Sequence, residues 1–194
     1  CRQMQRTGKR RQEQQPDMYG GEMDSQSLFT FILEMAGTIA FAASGAMVGA
    51  QRGMDIFGIC VLGVVTAVGG GATRDIILGI VPPGMFQNPI YTIVATVTSC
   101  IVFAIMYWKQ ELLEGENRLV YDKIMLVMDS VGLGVFTVMG VDKGITEGYM
   151  GRTFFLVFLG TVTGVGGGLI RDMMAGVPPY IFVRHIYACA SIVG

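Results

Sequence analysis

Two copies of a short motif carry most of the chemistry that this sequence offers within its apolar segments. Each copy has three consecutive glycines, followed after two further residues by an arginine and an aspartate. Each glycine costs a helix roughly 1 kcal/mol relative to alanine, so a triplet predicts a kink or an unwound turn with free backbone carbonyls. Such carbonyls can bind a desolvated monovalent cation, whereas tight helix packing through small residues is the alternative. The motif residues are Gly69, Gly70, Gly71, Arg74 and Asp75 in the first copy, and Gly166, Gly167, Gly168, Arg171 and Asp172 in the second.

Four further polar residues lie in the same apolar segments. Thr66 and Thr163 precede the glycines by one helical turn, so their hydroxyls could face the same cavity or bond back to their own helix. Glu34 and Asp129 are acids without an adjacent basic residue, and an acid within a membrane segment is a functional candidate. We expect these acids either to attract cations or to pair with the motif arginines. Within each motif, a structural ion pair is favoured over a field that selects ions, because neighbouring opposite charges largely cancel.

The composition is that of a membrane protein. Of the 194 residues, 52% are hydrophobic and only 15% are charged, against about 25% charged in a soluble domain. Between Leu28 and Trp108 the charged residues are only Glu34, Arg52, Asp55, Arg74 and Asp75. This pattern excludes a disordered chain, a disulfide-stapled secreted domain and a basic nucleic-acid-binding protein.

Five apolar segments are long enough to cross a bilayer, which takes about 20 helical residues. A sixth apolar run, Ile186–Gly194, is too short to cross. The sequence begins with Cys and stops inside this run, so we expect a fragment, with Met18 or Met23 as candidate natural starts. The expected organisation is a polar, disordered tail (1–27), a first three-helix repeat (28–108), a polar linker (109–123) and a second, truncated repeat (124–194). The five segments are Leu28–Ala50, Ile56–Thr73, Ile90–Trp108, Ile124–Val141 and Thr153–Ile170.

The repeat covers more than the motif. Residues 63–79 and 160–176 are identical at ten of 17 positions, at an offset of 97. Upstream, Glu34, Gly37, Phe41 and Gly45 match Asp129, Gly132, Phe136 and Gly140 at an offset of 95, on one helical face. Each copy comprises three helices, and an odd number means that the second copy enters the membrane from the opposite side. The predicted fold is an all-α membrane protein of two inverted-topology three-helix repeats, with helices two and five broken at their glycines.

The doubled motif, with its following Val-Pro-Pro, is preceded by Phe41-Ala-Ala-Ser-Gly-Ala and by Arg52-Gly-Met-Asp-Ile-Phe-Gly. Together these residues closely resemble the prokaryotic trimeric intracellular cation (TRIC) channel family, also catalogued as the bacterial glycine-transporter domain. The resemblance implies a seventh helix, a homotrimer in the bacterial inner membrane, and a hydrated potassium pathway in each subunit, constricted at the two glycine triplets. This chain departs from the family by lacking most of helix six and all of helix seven.

The resemblance leaves two functions open. A channel for potassium or another monovalent cation is favoured by the expected free carbonyls, and a carrier of glycine or a small amino acid is the alternative. The expected partners are the transported solute, membrane lipid and further copies of the chain, without nucleic acid. No enzyme and no cofactor is expected, since the sequence has one histidine, no Gly-x-Ser-x-Gly and no phosphate-binding loop.

Overall fold

The computed structural model describes residues 25–108 and 118–179. Within these two ranges the chain forms long helices joined by short turns, and it contains no strand. By its contacts the chain divides into residues 1–31 and 32–194, and the described part of the first unit is Ser25–Phe31, which is helical. The long helices are α1 (Ser25–Gln51), α2 (Ile56–Leu78), α3 (Ile90–Trp108), α4 (Arg118–Gly144) and α5 (Thr153–Met174), with a helical turn at Gly84–Gln87 and a π-helical turn at Ile145–Tyr149.

All five long helices are long and apolar enough to cross a membrane, as predicted. Helix α3 has its predicted bounds, whereas the other four helices extend past their predicted segments. Helix α1 begins inside the stretch expected to be a tail, and α4 begins at Arg118, inside the expected linker 109–123. Helices α2 and α5 continue past their arginine and aspartate, so these charges lie in the last helical turns. The short run Ile186–Gly194 lies outside the described residues.

The ends of α2 follow from its sequence. Asp55 caps the N-terminus by accepting a hydrogen bond from the amide of Gly58 at 2.7 Å. Gly79 ends the helix with a left-handed φ of 73°, and its amide donates to the carbonyl of Ile76 at 3.0 Å. The matching glycine of the second motif, Gly176, has a φ of 65° and follows Ala175, the C-cap residue of α5. The last glycine of each motif therefore stops a helix.

The glycine triplets, in contrast, do not interrupt their helices. Helices α2 and α5 run through Gly69–Gly71 and Gly166–Gly168 with helical backbone angles. In this respect the structure differs from the expectation of unwound turns with free carbonyls. The physical reason is packing: without a Cβ, a glycine lets a neighbouring helix come into backbone contact, and this close approach offsets the low helix propensity.

The two repeats are built from the same helix contacts. In the first repeat, a methyl group on Gly45 of α1 would lie 2.8 Å from the Cα of Gly63 in α2. In the second repeat, a methyl group on Gly140 of α4 would lie 2.8 Å from the Cα of Gly160 in α5. The hairpins α1–α2 and α4–α5 are therefore equivalent, and each depends on glycine for its close approach.

Contacts between the repeats show that one is inverted relative to the other. Gly70 of α2 lies against Thr163 of α5, and Gly167 of α5 lies against Thr66 of α2. The order of these contacts makes α2 and α5 antiparallel. Because α2 and α5 are equivalent helices, the inverted topology predicted from the sequence is confirmed for the described helices. The third helix expected for the second repeat falls outside the described residues.

Candidate functional site

The middle glycines of the two triplets form the crossing of α2 and α5. A methyl group on Gly70 would overlap the carbonyl oxygen of Thr163, and one on Gly167 would overlap the carbonyl oxygen of Thr66. Both glycines are buried. The two helix backbones are in direct contact here, so a larger residue at either position would push the helices apart.

The outer glycines of the triplets have more room. A methyl group on Gly71 or Gly168 would meet only the guanidinium of its own motif arginine, at 3.8 Å. A methyl group on Gly69 would lie 3.0 Å from the Cδ1 of Ile170, and one on Gly166 would lie 3.2 Å from the Cα of Gly70. Within each triplet, steric demand is therefore greatest at the middle position.

The two threonines before the glycines use their hydroxyls within their own helices. Thr66 donates to the carbonyl of Leu62 and Thr163 donates to the carbonyl of Leu159, each at 2.6 Å. Both threonines are fully buried. Of the two roles predicted for these hydroxyls, the observed geometry matches a hydrogen bond to a carbonyl of the same helix.

A buried charged cluster is centred on the second repeat and includes one residue of the first. It comprises Ser44, Asp129, Arg171 and Asp172, and we call it the second charged cluster. Arg171 Nη1 donates to Asp129 Oδ1 at 2.5 Å, and Arg171 Nε donates to Asp172 Oδ1 at 2.8 Å. Ser44, from α1 of the other repeat, donates to Asp129 Oδ1 at 2.6 Å and accepts from Arg171. Arg171 is 1% exposed, so its charge is compensated entirely inside the protein.

The first repeat holds two bonded pairs at the matching positions, Arg74 with Asp75 and Glu34 with Tyr91, and we call these four residues the first charged cluster. Arg74 Nε donates to Asp75 Oδ1 at 2.9 Å, as in the second repeat. Asp75 Oδ2 also accepts from the amide of Gly84 at 2.8 Å. Glu34 accepts a hydrogen bond from the hydroxyl of Tyr91, whereas its counterpart Asp129 binds an arginine. The first cluster is more open, since the side chain of Arg74 is 15% exposed.

The two clusters lie on opposite sides of the crossing. Arg74 and Arg171 each follow the middle glycine of their helix by four residues, about 6 Å of helix. Since α2 and α5 are antiparallel, these displacements have opposite directions. Glu34 and Asp129 precede Phe41 and Phe136 by seven residues, about 10 Å, again in opposite directions.

At the centre, Phe41 of α1 stacks on Phe136 of α4, with ring centroids 5.3 Å apart and ring planes at 29°. The comparison of the two repeats matched these phenylalanines, and Ser44 lies within the stretch Phe41-Ala-Ala-Ser-Gly-Ala, but neither the rings nor the serine was given a role. A pattern pointing to Ser44 is present, since it extends the spacing of Glu34, Gly37 and Phe41 along one face of α1. Nothing in that spacing identifies Arg171, from the other repeat, as its partner.

Comparison with known proteins bears on both repeats. Residues 31–107 and 126–194 match the model of a family described as glycine transporter. The match includes both copies of the motif. The chain belongs to this family. The chain is also similar to the inner membrane protein YadS of Escherichia coli, which is 39% identical over 168 residues, or 86% of this chain and 76% of YadS. A membrane protein of Deinococcus radiodurans is 37% identical over 164 residues, 84% of this chain and 71% of the relative.

Solved structures share the fold. A TRIC trimeric intracellular cation channel orthologue from Rhodobacter sphaeroides has a TM-score of 0.74 and 30% identity, covering 84% of this chain and 79% of that one. Another prokaryotic TRIC channel has a TM-score of 0.76 and 32% identity, covering 85% and 79%. The predicted membership of the TRIC and glycine-transporter family is confirmed. With its apolar helices and these relatives, the chain is a multi-pass protein of the bacterial inner membrane.

Proposed function

We propose that the protein conducts monovalent cations, with potassium as the main ion, along a path past the crossing of α2 and α5. The path would begin at one charged cluster and end at the other. The observation that carries this proposal is the pair of clusters on opposite sides of a glycine crossing, each with two carboxylates and one guanidinium. In the first cluster, two negative charges and one positive charge leave a formal charge of −1, which favours a cation there.

The solved structures with this fold support the proposal, since they are of cation channels, and the Rhodobacter sphaeroides protein is described as a trimeric channel orthologue. We further propose that three copies of this chain assemble and that each copy has its own path. The repeat supports this because both halves of the path, α1–α2 and α4–α5, come from a single chain. The chain itself therefore supplies both charged clusters.

The structure changes the expected role of the glycines in the path. Free carbonyls at unwound turns were the predicted ligands for a cation, but both triplets are helical. The side-chain carboxylates of the clusters are the better candidates for attracting a cation. Among the acids of the two clusters, Glu34 is the most available, because its bound partner is a neutral tyrosine hydroxyl and it is only partly buried, whereas Asp75, Asp129 and Asp172 are buried.

A glycine carrier is the second candidate, and the family description supports it. A zwitterion needs one positive and one negative partner, and the first charged cluster presents a partly exposed Arg74 as well as Glu34. The same cluster could thus hold a carboxylate at one residue and an ammonium group at the other.

The deciding experiment uses the full-length natural protein reconstituted in liposomes. We expect potassium efflux down its gradient without a coupling ion, little chloride flux, and no accumulation of radiolabelled glycine. Glycine uptake that saturates, together with absent potassium flux, would instead establish the carrier. Chloride flux equal to potassium flux would contradict the electrostatic argument for the two clusters.

A further inference from the structure

The centre of the proposed path is closed in the described conformation. At the crossing, α2 and α5 touch through Gly70 and Gly167, and a methyl group at either position would overlap the opposite backbone. Thr66 and Thr163 are both fully buried, so neither hydroxyl is exposed to a hydrated cation in this conformation. Conduction past this crossing therefore requires the two helices or the side chains beside them to move, so that water can enter.

An aromatic pair lies at the same place. Phe41 is 1% exposed, and a methyl group on Gly167 would lie 3.2 Å from its ring carbons. Its partner in the stack, Phe136, is only partly buried. Phe41 also belongs to an apolar cluster with Val68, the residue just before the first triplet. The two rings thus link both glycine triplets to the contact between α1 and α4.

Each ring packs against a glycine of the opposite helix, and we call these two contact sites the glycine notches. Gly132 of α4 faces Phe41, since a methyl group there would overlap the Phe41 ring. Gly37 of α1 faces Phe136, where a methyl group would lie 3.2 Å from the ring. The inverted repeat therefore places one ring in each notch, and the rings meet where the two repeats meet. Phe41 is 1% exposed whereas Phe136 is only partly buried, so Phe136 is the ring with more room to move.

We propose that Phe41 and Phe136 form an apolar seal that keeps the path between the two charged clusters dry, and that displacement of the Phe136 ring opens it. The proposal rests on the proposed function as a cation path. An apolar constriction stops ions because water leaves it, and a cation cannot cross without its hydration or a substitute for it. The charged clusters on either side would attract cations, and the position of the two rings would determine whether a cation can pass.

The test is a series of substitutions at Phe136 in the full-length protein in liposomes. Phe136→Leu, Phe136→Ala and Phe136→Ser remove the ring and increasingly admit water, so basal potassium flux should rise severalfold in that order. Phe136→Trp enlarges the ring and should lower the flux. The water permeability of the same vesicles should change in the same direction. Selectivity for potassium over chloride should persist, because both charged clusters are unchanged.

Phe103 provides the matched control. Its ring stacks on Tyr107 at the same interplanar angle of 29°, but both residues belong to α3 and lie away from the crossing. Phe103→Ala should therefore leave basal flux and water permeability as they are in the wild type.

The outcomes separate the seal from the proposed function. Wild-type vesicles that conduct no cation, but become permeable to water on Phe136→Ser, would refute the function and keep the seal. Conduction that is unchanged or reduced in assembled Phe136→Leu and Phe136→Ala protein would overturn the seal. If Phe136→Ala fails to assemble, the opposite effects expected for the Leu and Trp variants decide the question, and equal flux in those two variants refutes the seal.

Discussion

At the scale of single residues, neighbouring glycines of one triplet have different tolerances for a side chain. The middle positions, Gly70 and Gly167, lie against the backbone of the opposite helix. The last positions, Gly71 and Gly168, meet nothing nearer than 3.8 Å. A substitution series within three consecutive residues can therefore separate packing from helix propensity.

We expect Gly70→Ala and Gly167→Ala to destabilise the protein by about 1–3 kcal/mol each, the usual cost of overpacking. The two effects should be similar, because the two contacts are equivalent. Gly71→Ala and Gly168→Ala should instead be neutral or stabilise by up to about 1 kcal/mol, since alanine favours a helix and no atom is displaced. Thermal unfolding of the four purified variants in detergent measures this difference.

Potassium flux through the same four variants tests whether bending at the triplets contributes to conduction. Normal flux in Gly71→Ala and Gly168→Ala would show that the triplets act through close packing alone. A severe loss of flux in these two stable variants would mean that the helices must bend or unwind at the glycines to conduct, as the sequence alone suggested.

The two acids within the membrane segments should behave differently when neutralised. Asp129→Asn removes one of the two carboxylate partners of fully buried Arg171 and leaves Asp172, and we expect a loss of roughly 2 kcal/mol in stability. Glu34→Gln keeps an acceptor for Tyr91, so the loss should be about 1 kcal/mol or less. Conductance of Glu34→Gln should fall at low salt and recover at high salt, where charges are screened.

Thermal unfolding and salt-dependent conductance distinguish these roles. Equal destabilisation by the two substitutions would contradict the asymmetry between the clusters. Unchanged low-salt conductance in Glu34→Gln would remove this acid from the attraction of cations and leave it as a structural partner of Tyr91.

At the scale of helices, α2 and α3 form a close contact in the first repeat. The Sγ atoms of Cys60 and Cys100 lie 3.5 Å apart, and both thiols are free. One turn along, a methyl group on Gly63 would lie 3.1 Å from the Cβ of Ser99. Helices α2 and α3 can come this close only because both carry small residues at the contact.

We expect a mild oxidant in detergent solution to join Cys60 and Cys100 within one chain, because only a small rotation separates their sulfurs from bonding distance. Loss of labelling by a thiol reagent, reversed by reduction, measures the reaction. Cys60→Ser is the control, and it should leave Cys100 reactive after oxidation. Labelling that oxidation does not reduce would contradict the α2–α3 packing.

At the scale of the whole molecule, the inverted repeat determines which turns share a side of the membrane. The turn after α2 and the turn after α4 should lie on one side, and the turn after α1 on the other. We expect Gln87→Cys and Gly151→Cys, each in a background without native cysteines, to react with an impermeant thiol reagent from the same side. Arg52→Cys should react only from the opposite side. All three positions are exposed, so each can react without local unfolding.

Accessibility of all three sites from one side would refute the inverted topology. The same experiment with a cysteine in the stretch 109–117 should place it with Arg52→Cys, because one membrane helix separates it from Gln87.

Much of this architecture could be predicted from the sequence. Apolar length predicted the five helices, and duplication of the motif predicted the equivalence of the repeats. The odd number of helices per copy predicted the inversion. These features are local or periodic, and a repeat within one chain needs no knowledge of which residues touch. Side-chain spacing also placed Glu34, Gly37 and Phe41 on one face of α1.

Only the tertiary structure decided which groups meet across helices. It paired Asp129 with Arg171 and Ser44, but gave its counterpart Glu34 a tyrosine. It also kept both glycine triplets helical, against their intrinsic preference. The physical reason is the same in both cases: local propensity is about 1 kcal/mol per glycine, whereas close packing and a buried charge are worth more and depend on atoms far away in the chain. Spacing along a helix identifies the face on which a residue lies, and only the packed neighbour determines what that face touches.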